Sequence, residues 1–292
     1  MHPENHRPKR RRALLGTALV LAAAVALSGC SDTVYRGWLP GSSQHEVTDQ
    51  TGRIVSLWRG SWIAALLVGL LVWGLILWCV SVYRKRKADD TLPVQLRYHV
   101  PLEVMYVVLP ILMVGVLFYY TNRDVTAITA KPGDAKVHVQ VIGKQWSWDV
   151  NYQDANVYDS GVQIKDLQAP GALDEPVTIW LPVDEKVLFT LNSRDVIHSF
   201  WVPAFLYKMD VIPGRTNQFE VTPTTVGEYR GKCAELCGEY HSRMLFNVKV
   251  VTRAEYDAHL ADLKAKGQTG QLGLDLSRSQ DLNSSNTVGS AG

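Results

Sequence analysis

The sequence contains little cysteine, four residues in 292, and it lacks haem-attachment motifs and internal repeats. The missing motifs exclude a covalently attached haem, and the missing repeats exclude a solenoid or a propeller. Charge is also absent from residues 60–83 and 104–120. The apolar residues are therefore gathered into blocks, and these blocks decide the class of protein.

The first apolar block belongs to an N-terminal presequence. Basic PKRRR precedes the run ALLGTALVLAAAVA, and LSGC follows it, ending at Cys30. This order indicates a secretory signal peptide over residues 1–29. The LSGC segment also resembles a bacterial lipobox, so we predict that cleavage before Cys30 leaves a lipidated N-terminus. A plain signal peptide with an incidental cysteine is the alternative.

The next two blocks predict a transmembrane hairpin. Residues 57–83 and 99–120 are each long enough to cross about 30 Å of hydrocarbon as a helix. The loop between them, residues 84–98, carries five Lys or Arg residues, which places it in the cytoplasm by the positive-inside rule. We predict a cell-membrane protein with both termini on the outer face and residues 30–56 as an outer linker.

After a second linker at residues 121–134, the pattern becomes that of strands. Short runs rich in Val, Thr and aromatic residues, broken by Gly, Pro, Asn and Asp, extend over residues 135–251. They predict seven or more strands in an antiparallel sandwich or barrel. The predicted fold class is a membrane-anchored all-β protein, with a two-helix transmembrane hairpin before an extracytoplasmic β-sandwich.

The C-terminal part predicts one helix and a tail. Thr252 and Glu255 have the spacing of a capping box that opens a helix over residues 252–266. Its apolar face would carry Tyr256, Leu260 and Leu263. The polar composition of residues 267–292 predicts disorder.

The chain from Asp124 onwards is acidic, with 16 Lys and Arg residues against 21 Asp and Glu residues. Such a domain attracts a basic partner and repels nucleic acid, so we predict no nucleic-acid partner. General solubility is the simpler interpretation of the same charge.

The cysteines divide by position. Cys79 lies in the first span, where packing is its expected role. Cys233 and Cys237 remain for the outer domain, within KCAELCGEYHSRM. A disulfide between them is one interpretation in an oxidising compartment. It would close a very small loop, stabilise little, and leave the neighbouring histidine and methionine without a role.

A metal site accounts for the whole cluster. Cys237, His241 and Met244 have the C-x3-H-x2-M spacing of a loop that binds copper together with one more distant histidine. His198, at the end of an apolar strand, is the natural distant ligand.

Cys233 favours two copper ions over one, because a single copper needs only one thiolate. Two thiolates that bridge two coppers, with one histidine on each metal, form a compact dinuclear core. Met244 and the backbone carbonyl of Glu235 would then be weak outer ligands. Such a site predicts an electron relay.

These segments resemble subunit II of the haem-copper cytochrome c oxidases. The matching segments are GKQWSWDVNY (143–152), DVIHSFWVPAF (195–205), KMDVIPGRTNQ (208–218) and CAELCGEYHSRM (233–244). The resemblance extends over about residues 56–251, and the presequence is similar to bacterial, in particular actinobacterial, forms. It implies a cupredoxin-like domain whose dinuclear copper, CuA, takes electrons from cytochrome c. The haem centres of subunit I would then reduce oxygen and pump protons, with no haem on this chain.

The resemblance also implies roles beyond the copper ligands. Trp146 matches the tryptophan through which electrons arrive, whereas Trp148, predicted on the same strand face, suits a structural role. Glu235 matches a residue whose carboxylate binds a magnesium ion shared with subunit I. Glu103 matches the glutamate at the mouth of a proton pathway; its alternative role is to stabilise a helix N-terminus.

Asp195 matches an acidic residue that docks cytochrome c. Its neighbour Arg194 stands where some members of the family have another acid, which favours a haem domain held by a cytochrome bc complex as an alternative donor. The implied partners are the membrane, subunits I and III, and cytochrome c or such a tethered domain.

Three other classes share parts of this pattern. A quinol oxidase subunit II has the hairpin and sandwich but lacks the copper ligands. A thioredoxin-type copper-delivery lipoprotein has an α/β pattern, and a nitrous oxide reductase needs a large additional catalytic domain. The intact ligand set, the run of strands and the chain length disfavour all three.

Overall fold

The computed structural model describes residues 31–41, 46–84, 95–130, 133–172 and 176–273. Within them, two long helices precede a β-sandwich, and a further helix follows it. The predicted signal peptide with Cys30, most of the predicted cytoplasmic loop and the chain from residue 274 onwards lie outside the described residues.

The α-helices are α1 (Asp32–Tyr35), α2 (Thr51–Val82), α3 (Val100–Ile128) and α4 (Arg253–Ala265). α2 and α3 are long and apolar enough to span a membrane. At 1.5 Å per residue α2 is about 48 Å long, which exceeds a hydrocarbon core of about 30 Å. Both helices extend past the predicted spans, so that α2 begins within residues 30–56 and α3 ends within residues 121–134, the segments predicted as linkers.

A buried carboxylate joins the outer ends of α2 and α3. Asp124 is 1% exposed and contacts Arg123 at 2.8 Å and Arg53 at 3.3 Å. The pair between Arg53 and Asp124 joins the two helices beyond their apolar stretches. Just before α2, Asp49 and Thr222 exchange two hydrogen bonds of 3.0 Å, from Asp49 N to Thr222 O and from Thr222 N to Asp49 Oδ1. The hairpin is thereby fastened to the sandwich.

Ten strands form the sandwich: β1 (Val137–Lys144), β2 (Ser147–Tyr152), β3 (Val157–Ser160), β4 (Thr178–Pro182), β5 (Val187–Ser193), β6 (His198–Val202), β7 (Tyr207–Val211), β8 (Asn217–Val221), β9 (Gly227–Cys233) and β10 (Leu245–Val251). One sheet has the order β3-β2-β1-β5-β8 and the other β4-β10-β9-β6-β7. The predicted fold class is confirmed, as a sandwich and not as a barrel.

Two neighbouring pairs of strands are parallel, although the sequence predicted an antiparallel arrangement. β1 runs parallel to β5, and β10 runs parallel to β4. In each pair, other strands intervene along the chain and supply the long crossover that parallel neighbours require.

Trp148 of β2 lies at the centre of the core. Its ring is fully buried and packs edge-to-face against Phe246 at 5.4 Å and Phe200 at 6.0 Å between centroids. Phe200 and Phe246 stack on each other at 4.6 Å. Because these two phenylalanines belong to the opposite sheet, the three rings join the two layers.

The C-terminal helix forms as predicted. Thr252 and Glu255 make both hydrogen bonds of the capping box. Tyr256 and Leu263 are buried against the sandwich and Leu260 is partly buried, so the predicted apolar face is confirmed.

The first residues of the predicted disordered tail are ordered. Tyr158 N donates to Gln268 O at 3.0 Å, and Gly270 N donates to Asn156 O at 2.8 Å. The segment thus pairs with the outer edge of β3, whose backbone groups would otherwise lack strand partners. The predicted start of disorder at residue 267 is wrong for this stretch.

Gly231 of β9 provides a test of the packing around the core rings. An added Cβ would lie 2.1 Å from a ring carbon of Phe246, so we expect Gly231→Ala to lower the free energy of unfolding by about 1–3 kcal/mol. Thermal unfolding of the purified chain measures this. Gly227→Ala, in the same strand, is the matched control, because its Cβ would meet only the end of the Tyr229 side chain, at 3.2 Å or more. Equal melting temperatures for the two variants would contradict the expectation.

Candidate metal centre

Five of the six predicted ligands lie on the connection between β9 and β10. Cys233 ends β9, and its backbone N–H donates to Met244 O at 3.0 Å, which closes the loop. A 3-10 turn at His241–Arg243 brings the chain back, with His241 N donating to Gly238 O at 3.2 Å. Gly238 has φ +120°, a backbone conformation that favours glycine.

The loop and β6 bring two thiols and two imidazoles together. The Sγ atoms of Cys233 and Cys237 are 3.9 Å apart, and both cysteines are free, so the disulfide alternative is not formed. His198 Nδ1 lies 3.9 Å from Cys233 Sγ, and His241 Nδ1 lies 3.5 Å from Cys237 Sγ. Each thiol therefore has its own imidazole.

Two weaker donors complete the cluster. Met244 Sδ is 3.7 Å from Cys237 Sγ, and the backbone oxygen of Glu235 is 3.2 Å from Cys233 Sγ. The Glu235 residue itself is exposed. The structure thus brings together all six donors that the sequence pointed to.

The chemistry of these donors fits copper. Two thiols, two imidazoles and a thioether are soft or borderline ligands, whereas magnesium and calcium require oxygen ligands. His198, Cys233, Cys237 and Met244 are buried. The burial shields the site from water, and the two sulfurs and two imidazoles would supply the ligands of a copper centre.

Asp195 orients the first histidine. Its Oδ1 accepts from His198 Nε2 at 2.8 Å and from Val196 N at 2.7 Å, and its Oδ2 accepts from Gln145 N at 2.8 Å. A proton held on Nε2 by Asp195 leaves Nδ1 of His198 free to face the thiols. Burial would raise the pKa of Asp195, but these hydrogen bonds outweigh it and hold the pKa below its usual range.

The two thiols differ in acidity. Burial and the neighbouring Cys233 raise the pKa of Cys237 to about 12. Burial also acts to raise the pKa of Cys233, but His198 and nearby backbone groups outweigh it and hold the pKa below its usual range. Cys233 is thus the first thiolate, and a bound metal has to displace the proton of Cys237.

Trp146 lies in the turn between β1 and β2. The sequence placed Trp146 and Trp148 on one face of a strand, and this is wrong, because β2 begins only at Ser147. Trp146 is half-buried, and its Nε1 donates to Cys237 O at 3.1 Å. Gln145 Nε2 donates to the same oxygen at 2.9 Å. Trp146 therefore contacts the ligand loop directly.

Two further residues from the sequence analysis have internal partners. Glu103 lies in the first turn of α3 and accepts from His99 N at 3.0 Å, the helix-stabilising arrangement given as its alternative role. Arg194 contacts the buried carboxylate of Asp149 at 3.0 Å, and Lys144 contacts the same carboxylate at 2.5 Å. The charge of Arg194 is thus paired within the domain.

Sequence reasoning missed Gly143 and Gln145. Gly143 of β1 lies directly against the imidazole of His198, and an added Cβ would be 2.7 Å from its Cδ2 atom. Both residues stand in the segment GKQWSWDVNY, but nothing in their local sequence shows that they meet ligands from β6 and the β9–β10 loop.

Comparisons with known proteins agree with this geometry. Residues 137–251 match the family described as "Cytochrome C oxidase subunit II, periplasmic domain". The chain is 44% identical to the "Probable cytochrome c oxidase subunit 2" of Streptomyces avermitilis, with 91% of each chain covered. The chain belongs to the cytochrome c oxidase subunit II family.

Other members of the subunit II family are more distant. The "Cytochrome c oxidase subunit 2" of Mycobacterium bovis is 33% identical, covering 85% of this chain and 81% of the relative. Both relatives are actinobacterial. Among solved structures, the periplasmic domain of subunit II of cytochrome oxidase (CoxB) of Bradyrhizobium japonicum is 32% identical, with a TM-score of 0.43, covering 46% of this chain and 97% of that chain.

Gly143 leads to a prediction about the metal centre. Because a Cβ at this position would displace the His198 ring, we expect Gly143→Ala to weaken copper binding by roughly tenfold to a hundredfold. Copper content per chain, measured after competition with a chelator, tests this. Gly227→Ala, in the same sandwich, should bind copper as the parent does. Full copper retention by Gly143→Ala would show that His198 tolerates the displacement.

Proposed function

We propose that this chain is the electron-input subunit of a haem-copper cytochrome c oxidase. The observation that carries the proposal is the buried cluster of two thiols and two imidazoles, with the Met244 thioether and the Glu235 carbonyl beside it. Two copper ions bound there would supply one-electron redox chemistry with the charge shared between both metals.

The residues of the chain hold such a pair with little movement. Cys233 and Cys237 would supply the two thiolates, and His198 and His241 would each supply one imidazole nitrogen. The loop is closed by backbone hydrogen bonds, and Asp195 fixes the ring of His198. Few groups need to rearrange when the charge changes, which suits a relay and not a substrate-binding site.

Trp146 supplies the input route. Its half-buried ring is accessible to a bound donor, and its Nε1–H bonds the carbonyl of Cys237. A donor that docks over Trp146 is therefore linked to a copper ligand by one hydrogen bond and a short covalent path. The electrons then leave for the haem centres of subunit I, where oxygen is reduced to water.

The donor is cytochrome c or a cytochrome domain tethered to a cytochrome bc complex. The net negative charge of the outer domain supports a basic donor surface. Asp195 is 20% exposed and both its oxygens have internal partners, so its contribution to docking is secondary to its role at His198. If donor binding by Asp195→Asn depends on salt concentration as strongly as donor binding by the parent does, the result supports placing the docking role of Asp195 second.

Three further roles belong to the same proposal. The exposed carboxylate of Glu235 binds magnesium shared with subunit I. With manganese in place of magnesium as the probe, Glu235→Gln should lose the bound ion.

Glu103 lies at a proton pathway into subunit I. Measuring proton uptake by Glu103→Gln tests this role. Cys30 carries the lipid, and mass spectrometry of the mature N-terminus tests this.

Subunit III completes the complex.

The location of the chain is the cell membrane, with two spans and both termini outside. The two long apolar helices and the basic residues between their predicted spans support it. Protease added outside intact spheroplasts should release the copper domain, and cleavage within residues 85–94 from outside would refute the topology.

The metal content tests the central proposal. We expect two coppers per chain in the purified protein and, in the mixed-valence state, an electron resonance spectrum with hyperfine coupling to two equivalent nuclei. Cys233→Ser should leave a mononuclear site with ligands of the blue-copper type. A parental spectrum from a single isolated copper would remove the dinuclear assignment.

The input route is tested at Trp146. Trp146→Gln removes the indole that bonds Cys237 O, so reduction of copper by a bound donor should slow severely. Donor affinity should stay nearly parental, because charge complementarity governs the encounter. Stopped-flow kinetics at several ionic strengths measure both. Trp38→Gln, at a 70% exposed tryptophan that follows α1, is the control, and its copper should be reduced at the parental rate.

A further inference from the structure

A second aromatic residue contacts Trp146. Tyr240 immediately precedes the ligand His241, and its ring packs edge-to-face against the indole, with centroids 4.9 Å apart and an interplanar angle of 83°. Aromatic pairs in this geometry attract each other beyond the effect of burial alone. Because Trp146 lies in a turn, strand pairing does not fix its ring, and the contact with Tyr240 supplies a restraint.

Arg243 restrains Tyr240 in turn. Its guanidinium carbon lies 5.1 Å from the centroid of the Tyr240 ring, within the range of a cation–π contact. Arg243 Nη1 also donates to the backbone oxygen of Lys165, in the segment that follows β3. The Tyr240 ring therefore contacts both the indole and a guanidinium that is hydrogen-bonded to another part of the domain.

Gly238 of the ligand loop leaves room for the Trp146 indole. An added Cβ at Gly238 would lie 3.0 Å from Trp146 Cζ2 and 3.3 Å from its Nε1. The indole thus lies close against the loop backbone, with its Nε1–H on Cys237 O. A small displacement of the ring would break this hydrogen bond.

We infer that Tyr240 is a positioning residue for electron input. Its ring, braced by Arg243, holds the Trp146 indole against the carbonyl of Cys237 and so sets the rate at which a bound donor reduces the cluster. The Tyr240 hydroxyl has no hydrogen-bond partner among the described residues, so the ring alone carries this role. The inference rests on the proposed role of Trp146.

The test uses the copper-loaded oxidase complex and a reduced soluble c-type cytochrome at saturating concentration. Tyr240→Leu should slow the reduction within the donor complex by roughly threefold to tenfold, from the loss of one aromatic pair. Tyr240→Phe keeps the ring and should restore the parental rate. Donor affinity and the electron resonance spectrum of copper should be parental in both variants.

A double-mutant cycle separates positioning from a general structural effect. If Tyr240 acts through Trp146, then Tyr240→Leu should slow nothing further in the Trp146→Gln background. A further slowing there would show that Tyr240 acts on the ligand loop itself, and the inference would be wrong.

A second readout needs no metal. In the metal-free full-length chain labelled with fluorotryptophan, the fluorine resonance that Trp146→Phe removes belongs to Trp146. We expect Tyr240→Leu to shift this resonance and Tyr240→Phe to leave it in place. An unshifted resonance in Tyr240→Leu would overturn the inference.

The outcomes also separate the inference from the proposed function. If Trp146→Gln slows reduction but Tyr240→Leu does not, Tyr240 has no positioning role and the input route stands. If Trp146→Gln itself reduces at the parental rate, the input route fails, and the inference fails with it.

Discussion

The backbone hydrogen bond from Cys233 N to Met244 O is the constraint on which the metal centre depends. It closes the loop between β9 and β10, so that donors at both ends and inside the loop converge on one buried volume. The loop is in turn anchored by the core, because Phe246 follows Met244 by two residues and stacks on Phe200 of β6. His198 begins the same β6 strand, so the packing that joins the sheets also sets the position of the distant ligand.

Two acceptors connect the ligands to the half-buried Trp146. Asp195 accepts from both His198 and Gln145, and Cys237 O accepts from both Gln145 and Trp146. The β1–β2 turn, the segment before β6 and the β9–β10 loop are thus tied into one unit. A shared network of this kind limits the movement of ligands when the charge of the cluster changes. The same hydrogen bonds therefore hold Trp146 in a fixed position relative to the metal ligands.

Attachment to the membrane part is equally specific. Asp124 joins the outer ends of α2 and α3, and the paired hydrogen bonds between Asp49 and Thr222 tie the start of α2 to the sandwich. These contacts join the two long helices to each other and to the sandwich.

The sequence by itself determined the helical hairpin, the run of strands, the capping box at Thr252 and the donor set of the metal centre. Each of these depends on composition, periodicity or spacing over short stretches, where local physical chemistry decides the outcome. The parallel strand pairs, the turn position of Trp146, the packing of Gly143 against His198 and the pairing of Gln268 with β3 were decided only by the tertiary structure. These contacts join residues far apart in the chain, and their free energy comes from complementary packing that no single segment encodes.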